Sequence, residues 1–234
     1  MKKFIFLAFL FISIWAQAQS IADPATYLSD LKSEMKVEWP KNRTINIVFH
    51  GHSVPSGYFK TPRVNTLEAY PNLLLKELKE IYPFTVFNII VTAKGGENSV
   101  LGAERFERDV LIHRPDILCI DYALNDRLCG IEKAYTAWSQ MIKQAKERGV
   151  KVILLTPSPD QSVDYSNPNN ELKKHTDQIR KIALENQVGL SDTYHAFEFL
   201  YPDKEKLSKY MAQVNHPNQL GHELIANELM KWFK

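Results

Sequence analysis

Short apolar runs alternate with stretches of helical periodicity along almost the whole chain, and this alternation constrains the fold more than any other feature. The apolar runs cover residues 45–50, 85–91, 117–123, 150–156 and 188–192. Between them, residues 67–81, 101–113, 131–148 and 171–186 read as helices, and a last helix is expected from residue 217 to near residue 233. The clearest is 131–148, where Ile131, Ala134, Tyr135, Trp138, Met141, Ile142 and Ala145 share one face and Gly149 closes the helix. That stripe is core packing. Upstream, Asp23-Pro24 offers an N-cap and a first helical residue for a short helix to about residue 35, which Trp39-Pro40 ends.

Strands separated by helices imply a parallel sheet covered on both faces, and near-continuous apolar strands are what burial on two sides requires. The expected fold class is therefore α/β: a three-layer α/β/α sandwich with a five-stranded parallel sheet, doubly wound in the flavodoxin-like way. A chain of 234 residues, 44% hydrophobic and 24% charged, suits one domain with a substantial core. The longest irregular stretch, residues 157–170, is rich in Asp, Ser, Pro and Asn and is expected to be a surface loop near the active edge.

The chain opens like a targeting segment. Lys2 and Lys3 precede an apolar run over residues 4–15, too short to span a bilayer comfortably, and Ala16-Gln17-Ala18 follows as a small-x-small cleavage site. Residues 1–18 are thus expected to be a signal peptide and residues 19–234 one domain, exported to the periplasm or beyond, with no lipoprotein anchor and no membrane insertion. A net charge of +2 makes no case for a nucleic-acid partner. Cys119, in the middle of a strand, and Cys129, beyond its end, are poorly placed for a bridge and are expected to be two separate thiols.

In a doubly wound sheet, ligands bind at the carboxyl ends of the strands. After the first strand comes His50-Gly51-His52-Ser53, after the second Lys94-Gly95-Gly96-Glu97-Asn98-Ser99, and after the third Leu124-Asn125-Asp126-Arg127; Asn215-His216-Pro217-Asn218 precedes the last helix. A hydroxyl, a glycine pair, a side-chain amide and an imidazole converge on one edge. This is the make-up of a Ser–His nucleophile pair with oxyanion donors.

The ordered set resembles the four hallmark residues, Ser, Gly, Asn and His, of the SGNH/GDSL hydrolase (esterase) superfamily. Within it the sequence looks like a secreted bacterial branch with Gly-His-Ser in place of the usual Gly-Asp-Ser. The resemblance runs from residue 45 to the end and implies the flavodoxin-like SGNH hydrolase fold and a serine esterase. It makes Ser53 the nucleophile and His216 its base. The oxyanion donors are the Ser53 N–H, the N–H of Gly96 or alternatively Gly95, and the Asn125 amide. No cofactor and no metal is implied.

Three departures from the pattern stand out. His52 replaces the usual Asp. Ala123 replaces a glycine before the Asn-Asp pair and suits a strand end. Gln213 stands where an acid is expected, three residues before His216, so the protein is either a Ser–His dyad or draws a carboxylate from elsewhere, Asp192 being the nearest candidate in the sequence. His50, His52 and His216 invite comparison with a metal site, but no carboxylate lies at ligand spacing. Asp126 is expected to brace its loop, and His222 to be structural. Glu97 and Asn98 either touch substrate or cap a helix; Tyr58 and Phe59 either line the pocket or pack over the loop. The expected function is a secreted carboxylic-ester hydrolase that deacetylates carbohydrate. The alternatives are a lipase- or thioesterase-like hydrolase of short acyl esters and a non-catalytic carbohydrate-binding protein. The partner is a small-molecule or saccharide ester; the oligomeric state is left open.

Overall fold

A computed structural model describes residues 20–234, so the expected signal peptide and its cleavage site lie outside the described residues. Strands β1 (Thr44–Gly51), β2 (Val86–Val91), β3 (Ile117–Asp121), β4 (Lys151–Leu155) and β5 (Gly189–Ser191) form a five-stranded sheet in the order β2-β1-β3-β4-β5. Every neighbouring pair in it is parallel. This is the flavodoxin-like order, in which the winding reverses between β1 and β3 and leaves a crevice at their carboxyl ends.

Alternation along each strand feeds two cores, one on each face. Ile47, Phe49, Ile117, Cys119, Ile153 and Leu155 enter the first, with Leu74 and Leu78 from α2 (Tyr70–Ile81). Their neighbours Val48, Leu118, Ile120, Val152 and Leu154 enter the second. There they meet Trp138, Met141 and Ile142 of one further helix and Ile179 and Ile182 of another. All these strand residues are buried, which is why the runs read as continuously apolar.

The remaining helices, in chain order, are α1 (Ser29–Glu34), before α2, then α3 (Ser99–Glu104), α4 (Phe106–Asp109), α5 (Ala123–Asp126), α6 (Ile131–Glu147), α7 (Glu171–Asn186), α8 (Thr193–Ala196), α9 (Lys204–Ser208) and α10 (Gln219–Met230). Trp138 belongs to α6 and Ile179 to α7.

The departures from expectation have local causes. The helix expected over 101–113 is broken into α3, α4 and a 3₁₀ turn. At Gly102 a β-carbon would collide with the Tyr122 hydroxyl, so the chain passes too close to β3 for a continuous cylinder of side chains. Ala123 does not end a strand. Tyr122 leaves the extended conformation at φ −126°, ψ −16°, and Ala123 begins α5, which carries Asn125. The last helix starts at Gln219, because the Asn218 side chain caps it by accepting the Gly221 N–H at 3.2 Å. Residues 216–217 instead form β7 (His216–Pro217), paired antiparallel with β6 (Met211–Gln213), a hairpin the sequence reading did not anticipate. Cys119 is buried, Cys129 half-buried, and both are free thiols. Among the described residues no helix is long and apolar enough to cross a membrane.

The fold buries four imidazoles completely, His50, His52, His175 and His222, and burial shifts three of them strongly. Burial pushes His50 and His175 down to about 4 and His222 down to about 3. The folded state therefore holds these rings neutral, whereas the unfolded chain takes up protons below a pKa of about 6.5. Stability from this source is complete above pH 6.5 and is lost as pH falls toward the folded values. Between pH 6.5 and 5, His50 and His222 should each remove up to about 2 kcal/mol. Urea melts at pH 7.5 and pH 5 should show a clear drop in midpoint, reduced in a His222→Gln variant relative to its own pH 7.5 value. Equal midpoints at both pH values would overturn the neutral-histidine account.

Candidate active site

The site starts at Gly51, the last residue of β1. A β-carbon there would collide with the Asp121 carbonyl oxygen and crowd Pro55, so only glycine lets the ends of β1 and β3 close up. The His52 N–H then donates to that same carbonyl at 3.2 Å, and the chain turns sharply. Ser53 sits in this turn, and its Oγ lies 2.9 Å from His216 Nε2.

His216 is presented by the β6–β7 hairpin. Its Nδ1 lies 3.2 Å from the Phe59 carbonyl oxygen, which can only accept. Nδ1 therefore carries the proton, and Nε2 offers its lone pair to the Ser53 hydroxyl. Burial lowers the His216 pKa from the usual 6.5; the Phe59 bond opposes that shift, and His52 adds to it. Phe59 is itself held from beneath, its ring stacked on His222 at 4.7 Å and 12°. His222 Nδ1 accepts the Tyr70 N–H at the start of α2 at 3.1 Å, which fits the structural role expected of it.

The glycine loop after β2 is tied to the end of β1, the Lys94 N–H donating to the Gly51 carbonyl at 2.9 Å. Gly96 has φ +78°, and a β-carbon there would meet nothing within 4 Å. At Gly95 a β-carbon would press on the Tyr58 ring at 3.2 Å. Among the described residues, neither Ser53 N–H nor Gly96 N–H is hydrogen-bonded within the protein. Asn125 is drawn to the same loop: its Nδ2 donates to the Glu97 carbonyl at 2.9 Å and keeps a second amide hydrogen. Asp126 braces the loop, accepting Ser99 N–H at 2.8 Å and Trp138 Nε1–H at 2.6 Å.

Glu97 does not face the crevice. Its carboxylate turns inward to Arg105, whose Nε donates at 2.7 Å and whose Nη2 also donates, and to the Tyr122 hydroxyl at 2.7 Å. Desolvation raises its pKa, but the Arg105 and Tyr122 bonds outweigh it and the net shift is downward, so the buried pair stays charged. Asn98 caps α3, accepting the Leu101 N–H at 3.2 Å. Tyr58 stands beside His216, 6.2 Å from its ring centroid. Arg127 is engaged by Asp160 at 2.6 Å. Residues of the 157–170 loop reach the hairpin through the Gln161 N–H, which donates to the Val214 carbonyl at 2.8 Å, so this loop does lie at the active edge.

Neither candidate for a triad acid reaches His216. Gln213 turns to Thr61, whose N–H donates to its Oε1 at 3.1 Å. Asp192 follows β5 at the sheet edge, three strands from β1, or roughly 14 Å at about 4.8 Å per strand. Both its oxygens are engaged there, with Thr156 Oγ1 at 2.9 Å and Arg180 Nε at 2.9 Å. The Asp192 alternative is thus corrected, and a carbonyl partners the histidine.

The three histidines of the metal comparison diverge. His50 contacts Thr92 and Tyr122, His52 faces Asp121, and His216 faces Ser53. Among the described residues, no group of three or more His, Cys, Asp or Glu is arranged to hold a metal ion. Three parts of the site escaped the sequence reading: the Glu97 clamp, the Phe59 carbonyl and the His52–Asp121 contact. The charged Glu beside the glycine pair, with Arg105 eight residues on, was a usable signal for the first. A backbone carbonyl leaves none.

The profile of the GDSL-like Lipase/Acylhydrolase family matches residues 49–224, three quarters of the chain. The chain belongs to this family and is a serine esterase of the SGNH/GDSL superfamily. Its fold is shared by Axe2, an acetylxylan esterase from Geobacillus stearothermophilus, at 17% identity and a TM-score of 0.71, over 85% of this chain and 96% of that one. It is also shared by CEX, a two-domain esterase active on acetylated mannans and co-crystallised with mannopentaose, at 19% identity and a TM-score of 0.73. That match covers 88% of this chain and 52% of CEX, so this chain spans about half of that protein. No curated protein matches the sequence.

Two outcomes follow for this geometry. Asp192→Asn should leave kcat/KM unchanged, since its carboxylate serves Thr156 and Arg180; a large loss would return it to the catalytic group. With neutral His216 as the expected base, the acid limb of kcat/KM should have its midpoint below 6.5, because burial lowers its pKa. A midpoint at or above 6.5 in the pH–rate profile would mean a negative charge partners the imidazole after all.

Proposed function

We propose that this esterase is exported and removes acetyl groups from carbohydrate, with Ser53 as nucleophile and His216 as its base. The observation that carries the chemistry is the 2.9 Å Ser53 Oγ–His216 Nε2 contact, beside N–H groups that have no partner among the described residues. Ser53 attacks the ester carbonyl as its proton passes to Nε2. The carbonyl oxygen becomes an oxyanion, which the Ser53 N–H, the Gly96 N–H and the free Asn125 amide hydrogen stabilise. His216 then returns the proton to the departing sugar oxygen, which leaves as a hydroxyl. Water attacks the acetyl-serine by the same route in reverse, releasing acetate.

The saccharide reading is supported by the fold it shares with esterases whose substrates are acetylated xylan and acetylated mannans. Gly96 is the better oxyanion residue of the glycine pair, since its positive φ and open face leave room for a substrate, whereas Gly95 packs on Tyr58. Export is supported by Lys2, Lys3, the following apolar run and Ala16-Gln17-Ala18. Mass spectrometry of protein from the extracellular or periplasmic fraction should give a chain that begins near Gln19.

Ser53→Ala should abolish turnover of p-nitrophenyl acetate and labelling by a fluorophosphonate, with stability changed by less than about 0.5 kcal/mol. Retained turnover would mean that the nucleophile lies elsewhere. Asn125→Ala should lower kcat by about 10²–10³ with little change in KM, because the oxyanion exists only near the transition state. A rise in KM alone would assign the amide to ground-state binding. Acetylated xylo- and manno-oligosaccharides should be hydrolysed with higher kcat/KM than short-chain glycerol esters; the reverse order would make the protein a lipid esterase.

A further inference from the structure

Behind Ser53 lies a second imidazole that the proposed reaction does not use. His52 is completely buried. Its Nδ1 is 3.5 Å from Ser53 Oγ and 3.2 Å from the Val54 nitrogen. Its Nε2 faces Asp121 Oδ1 at 3.3 Å, with the two side chains 0% and 5% exposed. That contact is longer and less well aligned than a good hydrogen bond, but among the described residues neither atom has any other partner, so each depends on the other. The second Asp121 oxygen accepts the Tyr70 hydroxyl at 3.1 Å. A chain of contacts thus runs from Tyr70 through Asp121 and His52 to the nucleophile. The site's imidazole–carboxylate pair belongs to the histidine beside Ser53 and not to the one that takes its proton.

These contacts decide which ring nitrogen is protonated. The Val54 N–H can only donate, so Nδ1 must present a lone pair; the Asp121 carboxylate can only accept, so the proton belongs on Nε2. The consequence falls on Ser53. With Nδ1 bare, His52 offers the hydroxyl no competing donor, and the Oγ lone pairs stay uncommitted for attack while the proton goes to the nearer His216. With the proton on Nδ1, the ring would donate into an Oγ lone pair and oppose the Val54 N–H head-on.

We propose that His52 is a positioning residue for the nucleophile, held by Asp121 in the Nε2–H form so that it fixes the Ser53 turn while leaving Oγ free to attack. This rests on the assignment of Ser53 as nucleophile. The fixing is mechanical as well: His52 ties the turn on both sides of Ser53, through its own N–H to the Asp121 carbonyl and through Nδ1 to Val54. The Ser53 N–H between these two ties is the one left for the oxyanion. Other titratable groups near His52 are Asp126 on α5 and His216 on the hairpin.

The test is nitrogen-15 NMR of the histidine rings in the whole protein, with kinetics of three variants. Wild-type His52 should be neutral and protonated at Nε2 at pH 7; a ring protonated at Nδ1 or at both nitrogens would overturn the proposal. His52→Leu should lower kcat by about tenfold to a hundredfold at unchanged KM, by analogy with the loss of a hydrogen-bonding partner that orients a metal ligand. His52→Asn, whose Oδ1 can accept the Val54 N–H near the Nδ1 position, should retain more activity than the Leu variant. Asp121→Asn should move the His52 proton to Nδ1 where its amide faces the ring, and lower kcat in the same way. A His52→Leu enzyme with wild-type kcat would sink the positioning role while leaving Ser53 as nucleophile. Turnover retained in Ser53→Ala would remove the assignment beneath it, and the two failures are thereby told apart.

Discussion

The site depends on how closely the carboxyl ends of β1 and β3 approach each other. That approach is set by one missing β-carbon, at Gly51, which faces the Asp121 carbonyl. Once the two strand ends are in contact, the His52 N–H has an acceptor on β3, the chain is forced to turn, and Ser53 is lifted into the crevice where the winding of the sheet reverses. The same closeness brings the Asp121 carboxylate to the His52 ring. Asn125 lies only four residues beyond Asp121, so it reaches the glycine loop from the other lip of the crevice. The sheet order, in other words, supplies the crevice, and one glycine makes it narrow enough for chemistry.

The glycine loop is held by a different device. Glu97 links both lips: its carbonyl accepts the Asn125 amide while its carboxylate is clamped by Arg105 and Tyr122. A buried ion pair of this kind adds little net stability, because desolvation offsets much of the attraction. Its value here is geometric. A loop of small, polar residues with a positive-φ glycine would otherwise sample several shapes, and the clamp leaves one in which the Gly96 N–H is unpaired. His50 extends the clamp into β1 through the Tyr122 hydroxyl at 3.2 Å, so the loop is tied to the strand that leads into Ser53.

How much of this was legible in the sequence follows from the range of the contacts involved. Ser53, the glycine pair and Asn125 each follow a strand within a few residues, so locating the strands located them, and the parallel five-stranded sheet followed from periodicity. His216 was legible through its place before the last helix. The structure of its hairpin was not, since residues 211–217 carry no alternation long enough to mark a strand. Asp192 looked plausible because it also ends a strand. What excludes it is the order of strands across the sheet, a tertiary fact that places β5 at the edge far from β1. Gln213 was correctly read as a neutral residue in the acid's place, but its engagement by Thr61 depends on a side-chain direction that spacing cannot give. The break after Gly102 was missed because the helical pattern continues through it; the obstruction comes from Tyr122, just past the end of β3 and distant in sequence.

The carbonyl that replaces the acid separates two tasks that a carboxylate performs together. A carboxylate on Nδ1 fixes the ring's tautomer and also offsets the charge that develops as the ring takes a proton. The Phe59 carbonyl does the first: it accepts Nδ1–H and leaves Nε2 bare toward Ser53. It does the second only as a dipole, which is why burial prevails and the His216 pKa falls. A weaker base gives up some driving force for proton removal, but its conjugate acid gives the proton more readily to the leaving alcohol, and the neutral, reactive form persists to lower pH. The cost falls on the imidazolium intermediate, which must be stabilised by the surroundings of the ring. The stacked Phe59–His222 pair beneath it holds the accepting carbonyl in place, so His222, kept neutral by its own burial, supports the proposed base without adding a second positive charge beside it.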